Sequence, residues 1–231
     1  MAHLNQQLFC QRVKAMFPDH FKNRKVLDIG GADINGTVRY LFRNCNYLSL
    51  DIWPGSGVDM VGTVDDLSPH FFSFDTVCCL EVAEHDYNYA RTIMKGIELL
   101  KPGGLFLFTC ASTGRPEHGT NRTKPQDSPA TTDYYRNLTR SDLGSIPGFM
   151  ENWKFWYAEE RETDLRFFGI KKGGAGLKFK PSLIRYIGSY LSYWFTRRKK
   201  DIETVIRKGP TSSQIYKALK DSYDKKNQQP R

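Results

Sequence analysis

Two acids and a pair of glycines stand where an α/β chain can do chemistry. Asp28, Gly30 and Gly31 close the apolar run that begins at Lys25, and Asp51 closes Tyr47-Leu-Ser-Leu-Asp51. Each run reads as a buried strand that delivers a carboxylate to its end. The glycines let the backbone approach a ligand where a Cβ would intrude. Asp51 is placed to accept hydrogen bonds from two ribose hydroxyls, a use common among nucleoside-binding α/β folds. The pattern reads as a nucleoside-cofactor site, against the plainer alternative of an ordinary turn with surface acids. The turn Gly30-Gly-Ala-Asp-Ile-Asn-Gly36 lacks the GxGxxG spacing that lets a helix N-terminus hold a pyrophosphate, so it favours a ligand without phosphates.

The elements that must position these residues follow from hydrophobic periodicity. Residues 1–22 read as a helix with Leu8, Val13, Met16 and Phe17 on one side. Strands are expected at 25–28, 47–51, 58–61, 74–80 and 105–110. Helices are expected at 38–42, with Asn35 or Thr37 as cap, and at 89–100, followed by a turn at Lys101-Pro-Gly-Gly104. Strands alternating with helices at this spacing imply a parallel sheet with helices on both faces. Residues 112–140 are polar and rich in Gly, Pro, Thr and Asn, the composition of a lid or binding loop. A short helix begins at Ser141, and 153–158 and 164–171 read as two closing strands.

The charge divides unevenly. The chain carries a net +9. Residues 171–231 hold 16 basic and 4 acidic side chains, a net +12, which leaves 1–170 at −3. The basicity therefore belongs to a tail, and a nucleic-acid enzyme would more often carry it around its cleft. No apolar run reaches the roughly 18 residues of a membrane span. The N-terminus lacks the pattern of a signal peptide. Five scattered cysteines suggest reduced thiols, with Cys78, Cys79 and Cys110 as core residues. A cytoplasmic location is expected, which leaves the sequons at Asn35, Asn121 and Asn137 without consequence.

Five segments taken in order resemble the class I S-adenosylmethionine (SAM)-dependent methyltransferases: VLDIGGADINGT (26–37), YLSLDI (47–52), GTVDDL (62–67), FDTVCCLEVAEH (74–85) and LLKPGGLFLFT (99–109). The resemblance implies a Rossmann-like fold with a mainly parallel seven-stranded sheet. Similarity also assigns roles. Gly30 and Gly31 line the amino-acid part of SAM, Asp51 binds the ribose and Ile52 covers the adenine. Thr63, Val64 and Asp65 meet the adenine edge. Leu80 and Glu81 lie under the sulfonium. Asp28 lies inside the first turn. Ala32 stands where the family often has glycine, and Thr63 where an acid is expected. Segments 32–42, 51–62, 109–120 and 134–143 resemble a narrower subgroup, found in bacteria and large viruses near or fused to glycosyltransferases. That likeness implies a sugar or glycan hydroxyl as acceptor and a glycosyltransferase as partner.

Methyl transfer to a hydroxyl near neutral pH needs a base or a metal. His85 and His118 are the candidate bases. Glu81-x-x-Glu84-His85 resembles the metal-binding ExxEH segment of certain quinone and RNA-end O-methyltransferases, which implies Mg²⁺ or Mn²⁺ on Glu81, Glu84 and His85. The alternative is that His85 only orients its loop. Asp133, Tyr134, Tyr135 and Arg136 are candidates for the acceptor pocket, against a lid held by its own packing.

Residues 1–172 are thus expected to form the methyltransferase domain, and 173–231 a basic helical extension. Within it, 181–196 has the spacing of an amphipathic helix and ends at Arg197-Arg-Lys-Lys200. Such a helix packs on the enzyme or a second subunit, or makes a peripheral membrane contact. A nucleic-acid contact is the third option, and 224–231 has the composition of a disordered end. The expected activity is sugar O-methylation. RNA methylation, or a non-catalytic SAM-fold adaptor, are the alternatives.

Overall fold

The computed structural model describes residues 4–69 and 73–173. The chain divides into two units, Met1–Gly176 and Leu177–Arg231. The expected tail helix, the disordered end and every contact assigned to the tail lie outside the described residues. No helix among those described is long and apolar enough to cross a membrane.

Seven strands form one sheet: β1 (Lys25–Ile29), β2 (Asn46–Asp51), β3 (Met60–Val61), β4 (Phe74–Leu80), β5 (Leu100–Ala111), β6 (Trp153–Arg161) and β7 (Asp164–Lys171). Their order is β3-β2-β1-β4-β5-β7-β6. The first five run parallel, and the β6–β7 hairpin adds two antiparallel strands to β5. This is the mainly parallel seven-stranded sheet expected from the sequence. The strand order reverses between β1 and β4, so the carboxyl ends of β1, β2 and β4 open on one crevice.

Alternation along the strands separates the two faces. Leu27, Ile29, Val77, Cys79, Phe106, Phe108 and Phe167 share one buried cluster with Ile93 and Ile97 of α2 (Tyr89–Leu99) and Leu143 of α3 (Arg140–Gly144). On the other face Phe9 and Phe17, from and just beyond α1 (Leu4–Met16), pack on Phe168 at 6.3 and 5.5 Å. Cys78, Cys79 and Cys110 are buried in the sheet, as their apolar context predicts.

Several local expectations give way to tertiary competition. The first helix stops at Met16, because Pro18 ends it and opens a separate 3-10 turn, Pro18–Phe21. The helix expected at 38–42 is only a 3-10 turn, Arg39–Leu41. The Arg43 N–H is taken by the Phe21 carbonyl at 2.8 Å, so it cannot return to the Arg39 carbonyl as an α-helix would require. The third strand begins at Met60, not Val58, because the Asp59 carboxylate accepts the Ser49 N–H at 2.9 Å in place of a backbone partner. Lys101–Gly104 is a bulge within β5: pairing jumps from Phe74–Leu100 to Thr76–Leu105. β6 runs to Arg161, and α3 starts at Arg140 behind the cap residue Thr139.

Candidate active site

The crevice at the strand ends is a cleft of about 650 Å³. The turn after β1 forms its floor. Gly30 and Gly31 donate their N–H groups to the Leu50 carbonyl at 2.8 and 3.2 Å, which folds the turn back over β2. Gly30 has φ +70°, and a Cβ there would meet Val82 Cγ2 at 2.2 Å. Only glycine fits both demands. Beneath the turn, buried Asp28 accepts a hydrogen bond from the Tyr47 hydroxyl at 2.6 Å. Burial pushes the Asp28 carboxyl up to about 6, with the Tyr47 hydrogen bond opposing and Asp51 adding to the rise.

Asp51 is held by the backbone on both sides. Its Oδ2 accepts from Ala32 N at 3.1 Å and its Oδ1 from Trp53 N at 2.9 Å. Ile52 and Trp53 stand exposed at the mouth. Opposite, Thr63 caps the 3-10 turn Val64–Asp66 through reciprocal bonds with Asp66. The Asp65 carboxylate meets Arg91 bidentately at 2.9 and 3.1 Å, which lowers its pKa. Leu80 and Glu81 close the β4 side. Glu81 is a buried non-glycine residue at φ +58°, and its carboxylate lies 3.7 Å from Arg115. Such backbone strain is typical of functional positions. All ten residues named as cofactor-binding in the sequence, Asp28, Gly30, Gly31, Asp51, Ile52, Thr63, Val64, Asp65, Leu80 and Glu81, line this cleft.

His85 lines it too, from the 3-10 turn Ala83–His85. Burial, and then His118, push its imidazole down to about 4, so it is neutral at pH 7. The His85, His118 and Tyr135 rings pack edge-on, with centroids 4.9 to 5.4 Å apart. Glu84 lies behind His85. Its Oε1 accepts from Ala111 N at 3.1 Å, and burial followed by the neighbouring Glu81 pushes its carboxyl up to about 8. Glu84, His85 and His118 each offer a ligand atom within 4.8 Å of the others. Glu84 Oε2, His85 Nδ1 and His118 Nε2 are buried and have no hydrogen-bond partner among the described residues. Glu81, the third ligand expected from the sequence, stands outside this group beside Arg115.

The four candidate acceptor residues separate. Asp133 and Tyr134 line the cleft. Tyr135 turns to the histidines, and its hydroxyl donates to Asn137 Oδ1 at 2.8 Å. Arg136 leaves the cleft for Asp142. Neither His118 nor Glu84 is among the lining residues. Sequence reasoning missed Tyr87, Asp127 and Ser128, which also line the cleft. Tyr87 follows the His85 segment directly and was within reach as an aromatic beside a candidate base. The two loop residues carry no local signal.

A family model described as a methyltransferase domain matches residues 1–143. Among solved structures the chain is similar to the N-terminal domain of EvdMO1 with SAH (S-adenosylhomocysteine) bound, at TM-score 0.50 and 14% identity, covering 71% of this chain and 81% of that one. It is also similar to the DhpI–SAH complex, at TM-score 0.50 and 12% identity, covering 71% and 83%. At such identities the likeness is one of fold. No curated protein matches the chain.

Proposed function

Because this chain belongs to the methyltransferase-domain family, we propose that its cleft binds SAM and transfers the methyl group to a hydroxyl of a sugar or glycan. Both fold neighbours named above bind S-adenosylhomocysteine, the product that SAM leaves behind. The observation that carries the reading is the convergence of Asp51, the glycine turn and the neutral His85 imidazole on one cleft. Asp51, with both oxygens oriented, serves the ribose hydroxyls. The narrow glycine turn takes the amino-acid part. In the transfer, the acceptor oxygen attacks the methyl carbon in line with the departing sulfur. The C–O bond forms as the C–S bond breaks, its electron pair neutralises the sulfonium, and the hydroxyl proton passes to His85.

Burial keeps His85 neutral but also weakens it as a base. A divalent cation would be an alternative to His85 as the base, since an imidazole that gives its one lone pair to a metal cannot also take a proton. Glu84, His85 and His118 fit Mg²⁺ or Mn²⁺: one carboxylate oxygen and two imidazole nitrogens, all unpartnered and mutually close. Such an ion would act as a Lewis acid that makes the acceptor hydroxyl more acidic. His118, not Glu81, completes this donor set.

The lining favours a sugar over RNA. Among the described residues, seven carboxylates and one arginine line the cleft, and that arginine is held by Asp65. A polyphosphate strand would meet repulsion there. Calorimetric titration with SAM and SAH, in EDTA and then in Mn²⁺, tests the assignment. Wild-type protein should bind both. Asp51→Ala should weaken both by about 30-fold or more, the loss of two charge-assisted hydrogen bonds. His85→Ala should bind SAM and lose turnover. Unchanged SAM affinity in Asp51→Ala would sink the cofactor assignment.

A further inference from the structure

We propose that Gln6, on α1, is a cofactor-binding residue that holds the carboxylate of the methionyl part of SAM, an inference that rests on the SAM reading above. α1 lies outside every segment that pointed to the cofactor in the sequence, yet Gln6 lines the cleft. It is the one amide among five buried side chains on that helix, the others being Leu8, Phe9, Cys10 and Val13. At 3% exposure it is a buried polar group in a cavity wall, where packing alone would take a leucine. Its place along the helix follows from its neighbours. Cys10 is one turn on, shares the same face and is fully buried. Burial first, then the Asp28 and Glu81 carboxylates, push the Cys10 thiol up, which sets this face beside the ends of β1 and β4. Gln11 Nε2 donates to the Tyr40 hydroxyl at 3.0 Å and Arg12 meets Glu159 at 3.1 Å, so α1 is tied to the segment after the glycine turn and to β6.

The glycine turn does not supply donors for that carboxylate from its own backbone. The Gly30 and Gly31 N–H groups go to the Leu50 carbonyl, and that of Ala32 goes to Asp51. The Asp33 N–H goes to the Ser56 carbonyl at 2.7 Å and the Ile34 N–H to the Ala32 carbonyl at 3.0 Å. Five successive amides are thus engaged within the protein. The one lining arginine among the described residues, Arg91, is held by Asp65. The methionyl part of SAM is a zwitterion. A lining rich in carboxylates suits its ammonium, whereas its carboxylate needs donors, and the Gln6 amide carries two N–H groups. Being uncharged, that amide binds the carboxylate without repelling the sulfonium beside it.

The full chain is titrated by calorimetry, in EDTA at about pH 8, where an ordinary glutamate is ionised. The three ligands are SAH, decarboxylated SAH, which keeps the amine, and methylthioadenosine, which lacks the whole amino-acid part. Wild-type protein should bind SAH at least about tenfold more tightly than decarboxylated SAH. Gln6→Met, close in shape but without a donor, should lose about tenfold in SAH affinity, and Gln6→Glu, which sets a charge against the carboxylate, should lose more. Neither variant should weaken the binding of decarboxylated SAH or methylthioadenosine, the internal control for the fold and the adenosine site. A wild-type chain that treats SAH and decarboxylated SAH alike overturns the inference. So do variants that leave SAH affinity intact, or that weaken either of the other ligands as much as SAH. Each of these outcomes leaves the cofactor reading standing. Wild-type protein that binds neither SAH nor methylthioadenosine overturns both.

Discussion

Gly31 shows how little room the cofactor turn has. A methyl group there would lie 2.2 Å from Ser49 Oγ and 3.0 Å from Asp28 Oδ2. Gly31→Ala must push Ser49 aside or lift the turn away from β2. The expected result is a loss of about 2 kcal/mol of stability, in the range of overpacked sites, together with weaker SAM binding. Ser49 Oγ is buried and has no partner among the described residues, so its removal leaves nothing newly unsatisfied. Ser49→Ala placed in the same chain should therefore recover part of both losses. A melting curve and a SAM titration on the single and double variants decide it. Absence of any recovery would mean that the contact with Asp28, not Ser49, is what the turn cannot absorb.

Among the elements, the 112–139 loop is defined by how its ends are tied. The Leu138 N–H donates to the Ala111 carbonyl at 3.0 Å, and Asn137 Nδ2 to the Arg115 carbonyl at 2.9 Å, which brings start and finish together. Thr139 then caps α3 through reciprocal bonds with Asp142. Thr139→Ala should cost about 1 kcal/mol and speed amide exchange in 140–143 and the end of the loop, while the strands keep their protection. Uniform acceleration across the sheet, read by hydrogen-exchange mass spectrometry, would contradict this local role. The same contrast explains what was legible in the sequence. Strand-end residues such as Asp28, Asp51 and Glu81 can be read because an apolar run fixes their place, and the turns beside them are local. The 38–42 segment misleads because Phe21, distant in sequence, captures the Arg43 N–H. His118 reaches Glu84 and His85 only through the path of the loop, and Asp127 and Tyr87 share a cleft for the same reason. No periodicity records such juxtapositions.

For the molecule as a whole, the buried groups around the cleft tie stability to pH. His85 titrates near 4 in the fold against an ordinary 6.5, so the unfolded chain binds the extra proton between these values. Stability from this group is lost as pH falls through that window. Glu84 behaves oppositely. Its folded value near 8 stands above the ordinary 4.5, so the folded chain holds the extra proton, and stability is lost as pH rises toward 8. Asp28, near 6 against 3.8, acts in the same direction as Glu84 up to about 6. Below pH 6.5 these effects oppose one another, whereas above it Glu84 alone among the three still titrates. In EDTA the free energy of urea unfolding should therefore fall between pH 6.5 and 8.5, by at most about 2 kcal/mol. Glu84→Gln should flatten the slope, because an amide carries no titrating proton. Saturating Mn²⁺ should flatten it as well if Glu84 is a ligand, since a carboxylate bound to a cation is already deprotonated at both pH values. A slope that survives Glu84→Gln would assign it to another group. A slope abolished by Glu84→Gln but untouched by Mn²⁺ would leave Glu84 as a buried acid without a metal, and His85 as the base acting alone.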